Sequence, residues 1–425
     1  MHGFKVKKIR YKNLLRIVFY AIATVLIGIT NSNHLEMALV TLGLFSLFVV
    51  AKFSYFTVFS FILWFSFLQE YFASINPVLS SGRLAWVTTV PIYHRELFIC
   101  VMIFYISELF VFFTTNVLTN EKEVLKAKLN ITKRTAEFYA LCAFFMIILA
   151  YPSLPRLQAV LMRDEGFLPS SFVVPLASIV LSICFDYYKE SILCKLIILL
   201  SMFWVFFHGD RVIVLGFMVY VILKYMNDGT HNYKTLKSVI FNKRTIIIFA
   251  CAIVVGLFAV KIEFSRTAGI RNLTVLELLT YMLKQGTAGD VVFAFNCSVD
   301  MWISGNGTFG HTYLYYLSNI LPSADQSLNP AVVLYERYNT GGGGLFFSEP
   351  MINGGIILTV VHTLVFLYFV VFILSRKKKY STFYFIPIVI LIFRFTWYAN
   401  LAGLVKCMLY YVPALYVGAR KIRLR

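Results

Sequence analysis

The chain has 425 residues, of which 59% are hydrophobic and 14% charged, with a mean hydropathy of +0.76. Soluble globular domains carry about 25% charged and 45–50% apolar residues, so an ordinary soluble protein, a disordered chain and a disulfide-stapled secreted one are all excluded. Lys and Arg number 39 against 20 Asp and Glu, a net charge of +19, but the excess lies in short patches between long apolar runs. That pattern is membrane topology rather than a nucleic-acid surface.

A spanning helix needs about 20 mostly apolar residues, with about 17–25 tolerated. Reading for such runs predicts about twelve spans in an all-α polytopic membrane protein. In chain order they are roughly 14–30, 35–50, 53–68, 97–118, 136–151, 167–185, 192–207, 212–226, 245–262, 355–374, 382–400 and 401–417. The last two abut and must turn within a residue or two. The first run is long enough to be a retained helix rather than a cleaved signal.

Charge gives the orientation, because cytoplasmic loops carry the Lys/Arg excess. With the N-terminus inside, the inner segments hold 25 of the 39 basic residues, 18 Lys and 7 Arg. They include Lys5 to Lys12, the 122–134 and 224–244 clusters, Arg376 to Lys379 and Arg420 to Arg425. Both termini are therefore expected in the cytoplasm. The outer segments are very unequal, and the largest, 263–347 between spans nine and ten, has its own organisation: helix-like stretches at 274–284 and 311–321 separated by Gly-containing turns. Long loops in compact proteins are usually functional or disordered, and the aromatic content argues against disorder.

Outer basic residues favour arginine: Arg83, Arg95, Arg156, Arg163, Arg211, Arg266, Arg271 and Arg337 stand against Lys261 and Lys284. A planar guanidinium grips phosphate or carboxylate bidentately. Arg95, Arg163 and Arg337 sit beside acids and read as surface ion pairs. Arg211, Arg266 and Arg271 lie near membrane ends, where an anionic headgroup would sit. Within the spans, Glu108, Lys195, Arg394 and Lys406 are costly, and for Arg394 snorkelling to the interface weighs equally with function.

No D-x-D, H-x-H or C-x-x-C pattern occurs in the outer segments, so no dedicated metal site is expected. No P-loop occurs either, so ATP hydrolysis by this chain is not expected, nor is a cofactor. Outer groups suited to acid/base work are Glu349, His311, Asp290, Asp300 and His208. Glu349 stands out, following the glycine run at 341–344 and Ser348 and preceding Pro350 at the mouth of a span. Such a carboxylate could act as a base or simply stabilise a helix start.

The segment GGGGLFFSEPMINGG (341–355) resembles the glycine-rich stretch before a late span in Wzy-type O-antigen and repeat-unit polymerases. HGDR (208–211), FSR (264–266) and GHTYLYYLSNILPS (310–323) are similar to further family segments, in the same order. Together they cover about the second half of the chain, and Pro350-Met351 departs from the family's usual aliphatic or aromatic run. The resemblance implies a metal-independent glycosyltransferase of the bacterial inner membrane, with a fold like the GT-C-type O-antigen ligases. It would move a growing glycan from undecaprenyl pyrophosphate onto a new lipid-linked repeat unit. Glu349, with His311 as second candidate, would be the base. Arg211, Arg266, Arg271, Arg394, Tyr313 and Asn353 would bind pyrophosphate or substrate. A flippase and a chain-length regulator would be partners. The alternatives are an O-antigen ligase and a non-enzymatic lipid-linked oligosaccharide flippase; a carrier should show two related halves, and no internal repeat is evident.

Overall fold

The computed structural model describes residues 9–76, 79–127, 129–154, 173–187, 190–208, 210–227, 286–318, 326–341, 343–398, 401–413 and 423–424, with single positions between 250 and 284. Nearly all of these residues are helical. Among the described residues, five helices are long and apolar enough to cross a membrane: Tyr11–Thr30, Asn33–Ala51, Tyr55–Ile75, His94–Thr114 and Ser348–Leu374. By length and composition the chain is a multi-helix membrane protein.

Helices also form on the shorter runs: Lys133–Ala150, Val173–Cys184, Ile192–Phe207 and Arg211–Asn227. Their starts follow local chemistry. Ser54 and Thr57 form a reciprocal capping box, and Thr132 and Ser191 cap the next helices with their hydroxyls, satisfying amides that have no helical partner. The expected run 382–400 divides into Lys378–Ile390, which contains Pro387, and Ile392–Trp397. The expected run 401–417 begins as Leu401–Lys406 and widens into a π-turn at Cys407–Tyr411. Apart from single positions, the run 245–262 lies outside the described residues.

The helix expected from residue 355 starts earlier, at Ser348, and breaks at Gly354 and Gly355. Gly355 has φ 61°, and a Cβ there would lie 2.5 Å from Trp302 Nε1. Only glycine combines that dihedral with that approach. Pro350 falls in the first turn, where its missing N–H removes no helical hydrogen bond.

The longest helix that was not expected lies in an outer segment. Gly286–Ile303, inside the long 263–347 segment, is buried on all sides, including Val291 to Val299 without interruption. Its polar residues are partnered: Asn296 Nδ2 donates to Glu70 Oε2 at 3.2 Å and Asn296 Oδ1 accepts from Tyr93 N–H at 3.1 Å. Asp300 accepts from the Tyr93 and Tyr338 hydroxyls at 3.0 and 2.8 Å.

The chain divides into two units. The first comprises Met1–Lys122, Lys284–Arg376 and Arg394–Lys406. Its core centres on Phe59, whose ring meets Phe104, Phe346, Phe366 and Phe395 at 4.8–5.8 Å. The second comprises Glu123–Leu283, Lys377–Phe393 and Cys407–Arg425. There Gly216 lies against the Ile390 carbonyl, where a Cβ would be 1.8 Å from the oxygen. Lys224 pairs with Asp186, and Leu129–Asn130 pairs antiparallel with Arg423–Leu424.

Candidate functional site

The end of the glycine run pairs with the chain at Tyr398, Gly344 forming a parallel bridge there. Gly344 N–H donates to the Trp397 carbonyl at 3.3 Å and Phe346 N–H to the Thr396 carbonyl at 2.8 Å. Leu345, Phe346 and Phe347 are buried, so the chain turns into the helix inside the protein rather than at its surface. This places Glu349 in the core, 1% exposed.

Glu349 is held from the 308–316 segment. Its Oε1 accepts from the Thr312 hydroxyl at 3.4 Å, and its Oε2 accepts from the Tyr316 hydroxyl. Desolvation, and then the Glu349 charge, push the Tyr316 phenol well above its usual range, so Tyr316 keeps its proton and donates. Tyr313, raised for the same two reasons, stacks on Tyr316 at 6.0 Å.

Asn353 ties the two segments together. Its Nδ2 donates to the Thr312 hydroxyl at 2.5 Å and to the Glu349 carbonyl at 2.8 Å. Its Oδ1 accepts from the Thr308 hydroxyl and Gly310 N–H, both at 2.7 Å. An amide N–H can only donate, so the carboxamide oxygen must face Gly310. The result is a continuous polar network in which a buried carboxylate is aimed by two hydroxyls. A carboxylate so held can accept a proton from a hydroxyl brought against it.

The sequence-derived residues fall into three groups. Glu349, Tyr313 and Asn353 are in this cluster. His311 is adjacent in sequence, but its imidazole is exposed and takes no part in the cluster. Arg394 belongs to the same unit, with its guanidinium 5.6 Å from the Tyr398 ring. Arg211 opens the helix Arg211–Asn227 in the second unit, just after His208, whose ring stacks on Tyr151 and Trp204. Arg266 and Arg271 lie outside the described residues, as does most of the 274–284 stretch. There Thr274 and Glu277 nonetheless make the reciprocal bonds of a helix start.

Sequence reasoning missed Thr312 and Tyr316 as partners of Glu349. Their spacing of four residues was the available signal, since it puts both on one helical face. It also missed His362, whose ring stacks on Tyr313 at 6.3 Å inside the span and whose Nε2 is buried without a hydrogen bond. Arg83, read only as one of the outer arginines, is a structural tie. Its backbone N–H donates to Asp290 Oδ1 at 2.7 Å, and its Nε donates to the Asn339 carbonyl at 3.0 Å beside Gly341.

Among the described residues, no three His, Cys, Asp or Glu side chains converge as a metal site would require. The chain matches no protein-family model, no curated protein and no solved structure.

Proposed function

We propose that this chain is a glycosyltransferase that polymerises undecaprenyl-pyrophosphate-linked repeat units at the periplasmic face of a bacterial inner membrane. The observation that carries the reading is the buried Glu349, oriented by Thr312, Tyr316 and Asn353 where a long apolar helix kinks. The motif resemblance supplies the substrate class. In this reading the chain crosses the membrane twelve times with both termini cytoplasmic, in a fold of the GT-C type, and 263–347 faces the periplasm.

Glu349 takes the proton from the acceptor sugar's hydroxyl as that oxygen attacks the anomeric carbon of the donor glycan. The bond from that carbon to the pyrophosphate oxygen breaks, and undecaprenyl pyrophosphate leaves with the electron pair. Fixed cations then stabilise the leaving charge, a role that falls to Arg211, Arg266, Arg271 and Arg394. A flippase supplies the lipid-linked units and a chain-length regulator limits the product.

The test is reconstitution. Purified protein in vesicles, given a lipid-linked repeat unit, should yield lipid-linked oligomers and free undecaprenyl pyrophosphate. Transfer only to lipid A core would make the chain a ligase. Movement of the intact unit across the vesicle membrane without oligomers would make it a flippase.

A further inference from the structure

The turn that follows the buried helix carries one of the few positive-φ side chains in the described chain. Four non-glycine residues there have positive φ: Asn31, Lys52, Phe309 and Asn339. Three of them close helices as C-caps: Asn31 and Asn339 are left-handed there, which is ordinary at a helix end, and Lys52 lies at φ 55°, ψ −135°. Phe309, at φ 48°, closes none. A bulky side chain in that region is strained, and strain of this kind persists only where its surroundings enforce it.

The surroundings are on both sides of Phe309. Thr308 and Gly310 bond the same Asn353 oxygen, and Thr308 N–H also donates to the Ile352 carbonyl at 2.8 Å. The ring so held is 70% exposed. It stands 5.7 Å from the Trp302 indole, tilted by 58°. Trp302 is fixed in turn by two glycines: a Cβ on Gly307 would lie 2.8 Å from its ring, and one on Gly355 2.5 Å. The aromatic pair is therefore built on the kink that carries Glu349.

We infer that Trp302 and Phe309 form a stacking platform for a sugar ring of the glycan whose hydroxyl meets Glu349. A pyranose presents an apolar face of C–H groups bordered by hydroxyls, and the turn offers the complement. Exposed Ser304, Asn306 and His311 flank the exposed Phe309. Polar side chains in this position suit hydroxyls and would be misplaced among acyl chains. Membrane anchoring would also require no strained backbone, because any relaxed apolar side chain serves it. A stacked sugar does require a ring face held at one angle. The inference rests on the polymerase reading for its substrate class, though not for its test.

The test uses the full chain in nanodiscs and saturation-transfer NMR. The probes are methyl glycosides of glucose, galactose, mannose, rhamnose and N-acetylglucosamine, with glycerol as the ring-free control. Ring C–H protons of at least one glycoside should be saturated, and glycerol should not. Phe309→Gly, which keeps the backbone conformation and removes the ring, should abolish that signal; Phe309→Tyr should keep it. The readout is binding and not transfer, so a failed polymerase reading would leave this result intact. No saturation in the wild type, or equal saturation in Phe309→Gly, would overturn the platform. So would a nitroxide at Phe309→Cys that is relaxed by oxygen but not by a water-soluble nickel chelate, since the side chain would then lie in lipid.

Discussion

Tyr11–Thr30 and Gly286–Ile303 are similar in length, 20 and 18 residues, and opposite in burial. The first buries only Tyr20, Thr24 and Gly28 and leaves Leu14, Phe19, Ile22, Val25 and Ile29 open, which a bilayer accommodates and water would not. The second is enclosed by protein, yet it is the one with Asp290, Asn296 and Asp300. In a soluble domain the most apolar helix would be the most buried. Here lipid takes the apolar side chains that the first helix leaves open, while the enclosed helix can carry polar groups because neighbours satisfy them.

The sharpest way to break that contrast is a methyl group. Gly289→Ala would put a Cβ 2.1 Å from the Ser81 carbonyl, backbone against backbone, and should cost about 3 kcal/mol or more. Gly28→Ala meets only Phe98 at 3.9 Å and should be neutral or gain up to about 1 kcal/mol from helix propensity. Unfolding midpoints in detergent would compare the two; equal shifts would remove the distinction between the helices.

A smaller effect is expected from polar groups. Asn296→Ala strands Glu70 and the Tyr93 N–H and should cost about 1–3 kcal/mol. Thr24 bonds only its own helix, at Tyr20, so Thr24→Val should stay within about 0.5 kcal/mol. Relief of strain should act in the opposite direction. Phe309→Gly is expected to raise the unfolding midpoint by the equivalent of about 1 kcal/mol.

The last effect is read in pH dependence. Glu121, outside the spans and buried, has its carboxyl pushed from 4.5 to about 8 by burial, partly offset by the Tyr55 N–H and Lys122. The folded state thus holds this proton more tightly than the unfolded one. Its contribution is full below about pH 4.5 and is lost as pH rises towards 8. Glu121→Gln should flatten the fall in unfolding midpoint across that window; an unchanged slope would reject the assignment.

Hydropathy made the helices on eleven of the twelve runs legible, because each is a continuous apolar stretch. It hid Gly286–Ile303, since Asp290, Asn296 and Asp300 interrupt the run and their partners lie on Glu70, Tyr93, Tyr338 and Arg83, far away in sequence. It also placed the start of the tenth run at Gly355, although Ser348 to Asn353 already form a buried first turn. Glu349 was legible from its neighbours alone. Thr312 and Tyr316 were not, because what makes them partners is the fold of the 308–316 turn onto Asn353. Asn353, read as a substrate ligand, has its carboxamide engaged on both sides by the chain itself.

The central claim is that the buried Glu349 is a base rather than a structural carboxylate, and one variant separates the two. Glu349→Gln keeps the shape: its one carbonyl oxygen can still accept from Tyr316, while its amide N–H can donate to the Thr312 hydroxyl oxygen. With lipid-linked repeat units in reconstituted vesicles, the account predicts a rate about 10²–10⁴-fold below wild type, with an unchanged unfolding midpoint and an unchanged amount of folded protein. Polymer formed at the wild-type rate by well-folded Glu349→Gln protein would contradict it.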